Sequence, residues 1–412
     1  MSKKLRIGIV GIERGTSFAK SMRFFTDQAE LVAICENRDI PQDHKIVKYL
    51  PENIKIYKDY DEFLKEGLDA VILCNYFCDH AKFAIKAFEA GAAVLSETTA
   101  APSLGECVQL VEAYEKYKLP YMLAANCLYF RSVSTMKQKI MSGETGKVLY
   151  GEAEYLHGEF VSEAPPIDMN NLHWRQTLPP MMYNMHSLGP LMYVTESMPK
   201  TVSCTMHVDP DLARAQGKVT DCVGGITTTV MDNGAVFNAT GCNSYPPTSK
   251  WFRIACSKMT MESTRYEESE ETLTTAESAE GVTNALKLNA PIVKTWVPTL
   301  EEAGLIKEGF RKEDQEQTGH GGIDYFTTFN FLRVLQGKEE PFFNVYRAVA
   351  LSAVAILGWY SALLDSKVLP IPDFSKKEER DKIRNDFRTP FAKRYEDLNM
   401  PCRLEDKAKF KL

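Results

Sequence analysis

Short apolar runs alternate with helix-spaced segments along the first third of the chain. Leu5 to Val10, Glu30 to Cys35, Asn53 to Tyr57, Ala70 to Leu73, Ala93 to Ser96 and Tyr121 to Ala124 each read as a strand. Between them Ser17 to Phe25 and Ser103 to Tyr117 read as helices, and Ala81, Ala84, Ile85 and Phe88 recur at i, i+3, i+4 and i+7. Alternation at this length predicts a parallel, doubly wound sheet. The pattern then changes. A helix with Val133, Met136 and Ile140 on one face runs from Tyr129 to Gly143. Strands follow at Val148 to Glu159, Thr201 to Val208, Gly225 to Met231, Ala235 to Cys242 and Trp251 to Met261, with Asp232-Asn233-Gly234 as a hairpin turn. Runs of strands predict an α+β domain with an open, mostly antiparallel sheet. The expected division is 1–125, 126–374 and a charged extension, 375–412.

Glu262 to Thr283 is rich in Glu, Ser and Thr and reads as a solvated loop. In the extension, Phe387, Phe391 and Tyr395 at four-residue spacing predict a docked helix. The 412 residues are 44% hydrophobic and 25% charged, which fits globular domains rather than a fibre or a disordered chain. A net charge of -6 argues against nucleic acid as a partner, because phosphate backbones are gripped by clustered Lys and Arg. The apolar run near the N-terminus is too brief for a signal-peptide core or a membrane span, so no membrane association is expected. Ten cysteines without a C-x-x-C pair read as reduced, mostly buried thiols, and the expected location is cytoplasmic. Cys74, Cys78 and His80 are weak metal candidates, since Cys74 ends a strand and His80 opens a helix. No metal is expected.

The first strand passes into Gly11-Ile12-Glu13-Arg14-Gly15-Thr16 and then a helix, the order of a dinucleotide-binding Rossmann fold. Gly11 permits the tight turn, Gly15 leaves room beside the helix, and the N–H groups of Gly15 to Ser17 can face a pyrophosphate. The turn is one residue short of the usual G-x-G-x-x-G. Glu36 ends the second strand, where such folds place an acid against the adenosine ribose. A carboxylate there repels a 2'-phosphate, which favours NAD over NADP. Arg14 and Arg38 keep NADP open, since either can pair with that phosphate.

Several motifs together resemble the Gfo/Idh/MocA oxidoreductases, the glucose-fructose oxidoreductase and inositol dehydrogenase group. They are Cys74-Asn75 to His80, Ala87 to Gly91 leading to Ser96-Glu97, Ser142-Gly143 to Gly146-Lys147-Val148, Trp174-Arg175, His186, and His320-Gly321-Gly322-Ile323-Asp324-Tyr325. The resemblance implies that Ile12, Glu13, Thr16, Cys74, Asn75, His80, Glu97, Thr98 and Asn126 join the glycine turn and Glu36 around the cofactor. It also implies that Trp174, Arg175, His320 and Asp324 serve the substrate, His320 on a loop closing over it; Gly321 and Gly322 read equally as the turn before a helix from Ile323 to Leu335. Most sugar dehydrogenases of the family carry Glu-Lys-Pro where this chain has Glu97-Thr98-Thr99, and an Asp where it has Met182. A narrower branch, the NAD-dependent glycosidases such as α-N-acetylgalactosaminidase, also lacks that lysine. Its motifs are similar to Glu97-Thr98-Thr99-Ala100-Ala101, Tyr155-Leu156-His157 and Tyr183-Asn184-Met185-His186-Ser187-Leu188-Gly189-Pro190. Its Glu-Asn-Cys stands here as Ala125-Asn126-Cys127.

Tyr155, His157 and Glu159 alternate and in a strand share one face. Tyr183 and His186 are three apart, on one helical face. His186 or Tyr183 is expected to accept a hydroxyl proton while hydride leaves the same carbon for nicotinamide, and Tyr155 or His157 is the candidate second base. The expected function is an NAD(P)-dependent oxidoreductase acting on a hydroxyl of a sugar or glycoside, with redox-neutral oxidation, elimination and reduction as a sub-case. The other reading is a nucleotide-binding sensor or scaffold of the same fold. A homo-oligomer, dimer or tetramer, is expected.

Overall fold

The computed structural model describes residues 3–158, 164–245, 247–265, 271–277 and 292–409. The chain forms two compact units. The first comprises Met1–Asn126, Glu308–Val349 and Phe374–Phe387, and the second Cys127–Lys307, Ala350–Asp373 and Arg388–Leu412.

The first unit is a six-stranded parallel sheet of β1 (Leu5–Val10), β2 (Ala29–Cys35), β3 (Lys55–Tyr57), β4 (Ala70–Leu73), β5 (Ala93–Ser96) and β6 (Tyr121–Leu123), in the order β3-β2-β1-β4-β5-β6. Residues of β4 and β5 are buried throughout, which accounts for their unbroken apolar runs. Helices α1 (Gly15–Met22), α2 (Tyr60–Leu64), α3 (His80–Glu89) and α4 (Leu104–Tyr117) connect the strands. Ser103 caps α4 by accepting from the Glu106 amide. The order reverses between β1 and β4, the switch point at which open α/β sheets bind ligands beyond the strands' carboxyl ends. Two later segments complete this unit. The helix Ile323–Leu335 packs on α1 through Tyr325 and Phe329, whose rings lie 5.0 and 6.1 Å from that of Phe25. Phe343 O accepts from the Leu123 amide at 3.0 Å beside β6.

The second unit begins with the 3-10 turn Asn126–Tyr129, whose first residue closes the first unit, and α5 (Arg131–Met141), so the predicted single helix from Tyr129 is a turn followed by a helix. Its nine-stranded sheet contains β7 (Val148–Leu156), β8 (Pro199–Val208), β9 (Cys222–Met231), β10 (Val236–Cys242), β11 (Ser249–Cys256), β12 (Met259–Ser263), β13 (Leu273–Glu277), β14 (Ile292–Trp296) and β15 (Leu369–Pro370). The order is β14-β13-β12-β11-β7-β10-β9-β8-β15, and β7 with β10 is its parallel pair, the others being antiparallel. The short helix α6 (Trp174–Thr177) and α7 (Met185–Thr195) follow β7, and α7 lies against β7, β10 and β11. The helix Val345–Leu363 is long and apolar enough to cross a membrane, but 89% of its apolar window is buried inside the protein.

Three expectations are corrected. The predicted loop from Glu262 contains the end of β12 and all of β13, because its threonines pair across strands: Thr274 Oγ1 and Thr295 Oγ1 are 2.9 Å apart. Residues 266–270 and 278–283 of that stretch lie outside the described residues. The predicted strand Trp251 to Met261 is two strands, β11 and β12, that turn at Ser257 and Lys258. The helix expected over Phe387, Phe391 and Tyr395 does not form. Pro390 sits at its centre, where it would remove a helical hydrogen bond and force Thr389 out of the helical region.

Candidate active site

Strand register assembles a candidate nucleotide site in the first unit. Val10 pairs with Cys35 and with Leu73, Leu73 with Ser96, and Ser96 with Leu123. The next residue on each strand therefore stands at the carboxyl edge: Gly11, Glu36, Cys74, Glu97 and Ala124. Gly11 has a φ of 84°, and a Cβ on it would fall on the carbonyl oxygen of Cys74, so both the turn and the close approach demand glycine. Thr16 and Ser17 donate their amides to Ile12 O and Arg14 O at 3.0 and 3.1 Å. Of the three amides expected to face a pyrophosphate, those of Thr16 and Ser17 are thus taken up within the chain.

Glu36 is buried and accepts from the Arg38 amide at 3.2 Å, from Arg38 Nε at 3.0 Å and from the Ile12 amide at 3.4 Å. Burial alone would raise its pKa, but these bonds win and hold the carboxyl below its ordinary value. Arg38 also reaches Glu13 at 3.4 Å. Arg14 donates through Nε to Glu97 at 2.7 Å and through both terminal nitrogens to Asp324 at 3.0 and 2.8 Å. Its guanidinium lies 4.8 Å from the Phe18 ring centre. Asp324 is fully buried, and His320 Nδ1 is 2.8 Å from its Oδ2. Burial opposes the charge, yet Arg14 and His320 together hold the Asp324 carboxyl far below the usual range. Both arginines that sequence offered to a 2'-phosphate are therefore engaged by carboxylates of the protein.

Asn75 places both side-chain amide atoms out of solvent without a hydrogen-bond partner among the described residues. A buried amide of this kind is costly until a ligand satisfies it. With the glycine turn, the Glu36 carboxylate at the end of β2 and the strand-end edge, the residues fit a dinucleotide such as NAD. His80 plays a different part. Its Nδ1 is 2.9 Å from Thr99 O and its Nε2 is 3.2 Å from Asn75 O, so it braces the two loops that carry Asn75 and Thr98. Burial pushes its pKa down. Burial likewise pushes the Cys74 thiol well up. The Thr98 amide donates to Glu97 Oε2 at 3.3 Å. Asn126 is buried just beyond β6.

The second unit holds a cluster of rings of its own. Tyr155 is near the end of β7 and His157 just beyond it. Tyr183 ends the 3-10 turn Pro180–Tyr183, and His186 lies in the first turn of α7. Tyr155 stands 4.6 Å from His186, 5.9 Å from Tyr183 and 5.7 Å from His157, and Tyr183 is 5.2 Å from His186, all between ring centres. A notch in the sheet seats the turn: Gly225 pairs with Gly241, and a Cβ on Gly241 would meet Met181 Sδ at 2.9 Å and Pro180 O at 3.0 Å. Met182, at the family's Asp position, is buried. The Arg175 guanidinium stacks over the Trp174 ring at 4.6 Å. Glu159 lies outside the described residues. Sequence reasoning did not assign Cys127, whose Sγ is 3.3 Å from His186 Nδ1. The signal for it was the Asn126-Cys127 remnant of the branch motif.

Residues 5–125 match the model of the oxidoreductase family with the NAD-binding Rossmann fold, Gfo/Idh/MocA, and residues 304–380 match the glycosyl hydrolase 109 C-terminal domain. The chain thus carries a Gfo/Idh/MocA-type NAD-binding Rossmann domain over residues 5–125 and a segment similar to the glycosyl hydrolase 109 C-terminal domain over residues 304–380. Its full-length curated relatives are of the glycosyl hydrolase 109 kind. A glycosyl hydrolase family 109 protein of Akkermansia muciniphila is 26% identical over 422 residues, covering 90% of this chain and 82% of the relative. One of Stenotrophomonas maltophilia is 24% identical over 425 residues, covering 90% of this chain and 89% of the relative. Among solved structures, a levoglucosan dehydrogenase in complex with NADH and levoglucosan superposes with a TM-score of 0.72 at 16% identity, covering 90% of this chain and 100% of that one. An oxidoreductase domain protein of Kribbella flavida gives 0.70 at 16% identity, with the same coverage. At such identities the structural likeness speaks to the fold.

Proposed function

We propose that this protein is an NAD-dependent enzyme that acts on a ring hydroxyl of a sugar or glycoside, and that its net reaction is redox-neutral cleavage of a glycoside. The observation that carries the reading is the cluster of Tyr155, Tyr183, His157 and His186, four proton-moving side chains gathered in a chain whose other unit is an NAD-binding Rossmann domain. NAD is preferred to NADP because the Glu36 carboxylate stands where a 2'-phosphate would lie, while Arg14 is held by Glu97 and Asp324 and Arg38 by Glu36 itself and by Glu13.

Bound in the first unit, NAD supplies a hydride acceptor and later a hydride donor. Tyr183 or His186 takes the proton of the hydroxyl whose carbon gives up hydride, leaving a ketone. The ketone acidifies the neighbouring C–H, and Tyr155 or His157 removes that proton as the substituent at the next carbon leaves with its bonding pair. Water then adds across the resulting double bond, and the ketone regains hydride and proton. Electrons balance without outside oxidant. Thr98 in place of lysine and Met182 in place of aspartate fit this route, since both losses remove parts of the dehydrogenase site and leave the ring cluster whole.

The test is a panel of aryl glycosides and free sugars, following aglycone release together with nicotinamide absorbance. Aglycone release at flat NADH supports the proposal. NADH rising in step with product would make the protein a net dehydrogenase. No turnover despite tight NAD binding would transfer support to the nucleotide-binding sensor.

A further inference from the structure

The Cys127 thiol and the His186 imidazole are both buried and lie in contact at 3.3 Å, Sγ to Nδ1, joining segments 59 residues apart. One proton lies between them, and three arrangements are open: a thiol donating to Nδ1, a thiolate beside an imidazolium, or Nδ1–H donating to a neutral sulfur. Ordinary values of about 8.5 for the thiol and 6.5 for the ring put the ion pair roughly 100-fold below the neutral pair. Burial disfavours both charges and so works against the mutual attraction of an ion pair at this contact. Between the neutral arrangements, a bare ring nitrogen is a strong acceptor and a thiol sulfur a weak one. The tautomer left by S–H donation, with the ring proton on Nε2, is also the one imidazole favours in water.

We propose that Cys127 is a positioning residue that keeps His186 neutral with its proton on Nε2, so that His186 meets the substrate as a hydrogen-bond donor. The inference rests on the reading of the ring cluster as the proton-moving site and narrows it. Among the groups around His186 are Tyr155, Tyr183 and Cys127, and His157 lies beside Tyr155. An imidazole whose Nδ1 is taken and whose Nε2 carries a proton cannot accept the hydroxyl proton. That step passes to a phenol oxygen, and the Nε2–H steadies the oxygen on which charge gathers.

The experiment is NMR of the full chain labelled with 15N and 13C in histidine. Seven histidines are present, and His186 is assigned by the signal lost in His186→Gln. The expected result is an Nε2–H pattern that stays fixed from pH 6 to 8, persists in Cys127→Ser, whose hydroxyl still donates, and gives way in Cys127→Ala to a ring that titrates. An Nδ1–H or doubly protonated ring in the parent, or a Cys127→Ala spectrum identical to it, overturns the proposal. Should Cys127→Ala fail to fold, the parent spectrum and Cys127→Ser still decide. The readout is independent of turnover: the fixed Nε2–H pattern in a protein that cleaves no sugar would sink the functional reading alone, and the wrong tautomer in an active enzyme would sink this one alone.

Discussion

Arg14 stands on the turn where a dinucleotide's phosphates would lie, yet its charge is already divided between Glu97 and Asp324. Two carboxylates and one guanidinium in a buried place are stable only as a set, because removing one member leaves the others uncompensated. Asp324→Asn is therefore expected to lower the unfolding free energy at pH 7 by about 3–5 kcal/mol. The sign of its pH dependence follows from a carboxyl held below its ordinary value in the folded chain. Its contribution is present in full above the ordinary carboxylate range and is lost progressively as pH falls from that range toward the depressed folded value, so the gap between parent and variant should narrow from roughly pH 5 downward. Urea unfolding of both proteins at pH 7 and near pH 3 measures this, and a gap of constant size would contradict it. Single residues were legible in the sequence where their cause is local. Glu36 was, because it ends a strand at a fixed spacing from the glycine turn. The Arg14 pair with Asp324 was not, since its partners are 310 residues apart and meet only when aromatic side chains lay the helix Ile323–Leu335 on α1.

At the scale of elements, the sheet decides where Tyr183 sits. Gly225 and Gly241 face each other across β9 and β10 and leave the hollow that Met181 fills, and Gly241 is also level with Tyr155 on β7. A side chain at 241 would meet sulfur and backbone at once, so the turn must lift. Gly241→Val should move Tyr183 and His186 while leaving the nucleotide-binding unit alone. A displacement of about 1 Å is enough for a loss near 100-fold in kcat, with the Kd for NAD unchanged. Steady-state kinetics beside a fluorescence titration of NAD checks it; an equal loss in both would show a general defect instead. The same scale explains which elements could be read in advance. Short apolar runs such as β4 and β5 declared themselves, because burial on all sides leaves a signature in composition. β13 did not, because a half-exposed strand of threonines carries the composition of a loop until its partners are known.

At the scale of the whole molecule, the charged C-terminal stretch, read in sequence as an extension with one docked helix, has buried partners in each unit. In the first unit, Arg380 grips Glu115 at 2.6 and 2.9 Å, Arg384 grips Glu112 at 2.6 and 2.7 Å, and Asp386 O accepts the Gly105 amide at 2.7 Å, all on α4. In the second unit, Cys402 and Leu398 pack with Leu172 and Val219. There too Pro401 O accepts from Trp359 Nε1 at 2.9 Å, and the buried Asp221 accepts from the amides of Leu404 and Glu405 at 2.9 and 3.1 Å. Cutting the chain after Phe374 would strip both arginine clamps and leave Trp359 and Asp221 with buried groups unsatisfied. Each such orphan costs about 1–3 kcal/mol, more when charged, against a total stability of roughly 5–15 kcal/mol. The shortened chain should therefore accumulate as insoluble protein or melt without cooperativity, whereas the double variant Arg380→Ala/Arg384→Ala, which keeps the last part of the chain, should remain soluble with a lowered Tm. Expression and differential scanning calorimetry of the three proteins separate these outcomes, and a soluble chain ending at Phe374 with the parent's Tm would show that the extension is an appendage after all.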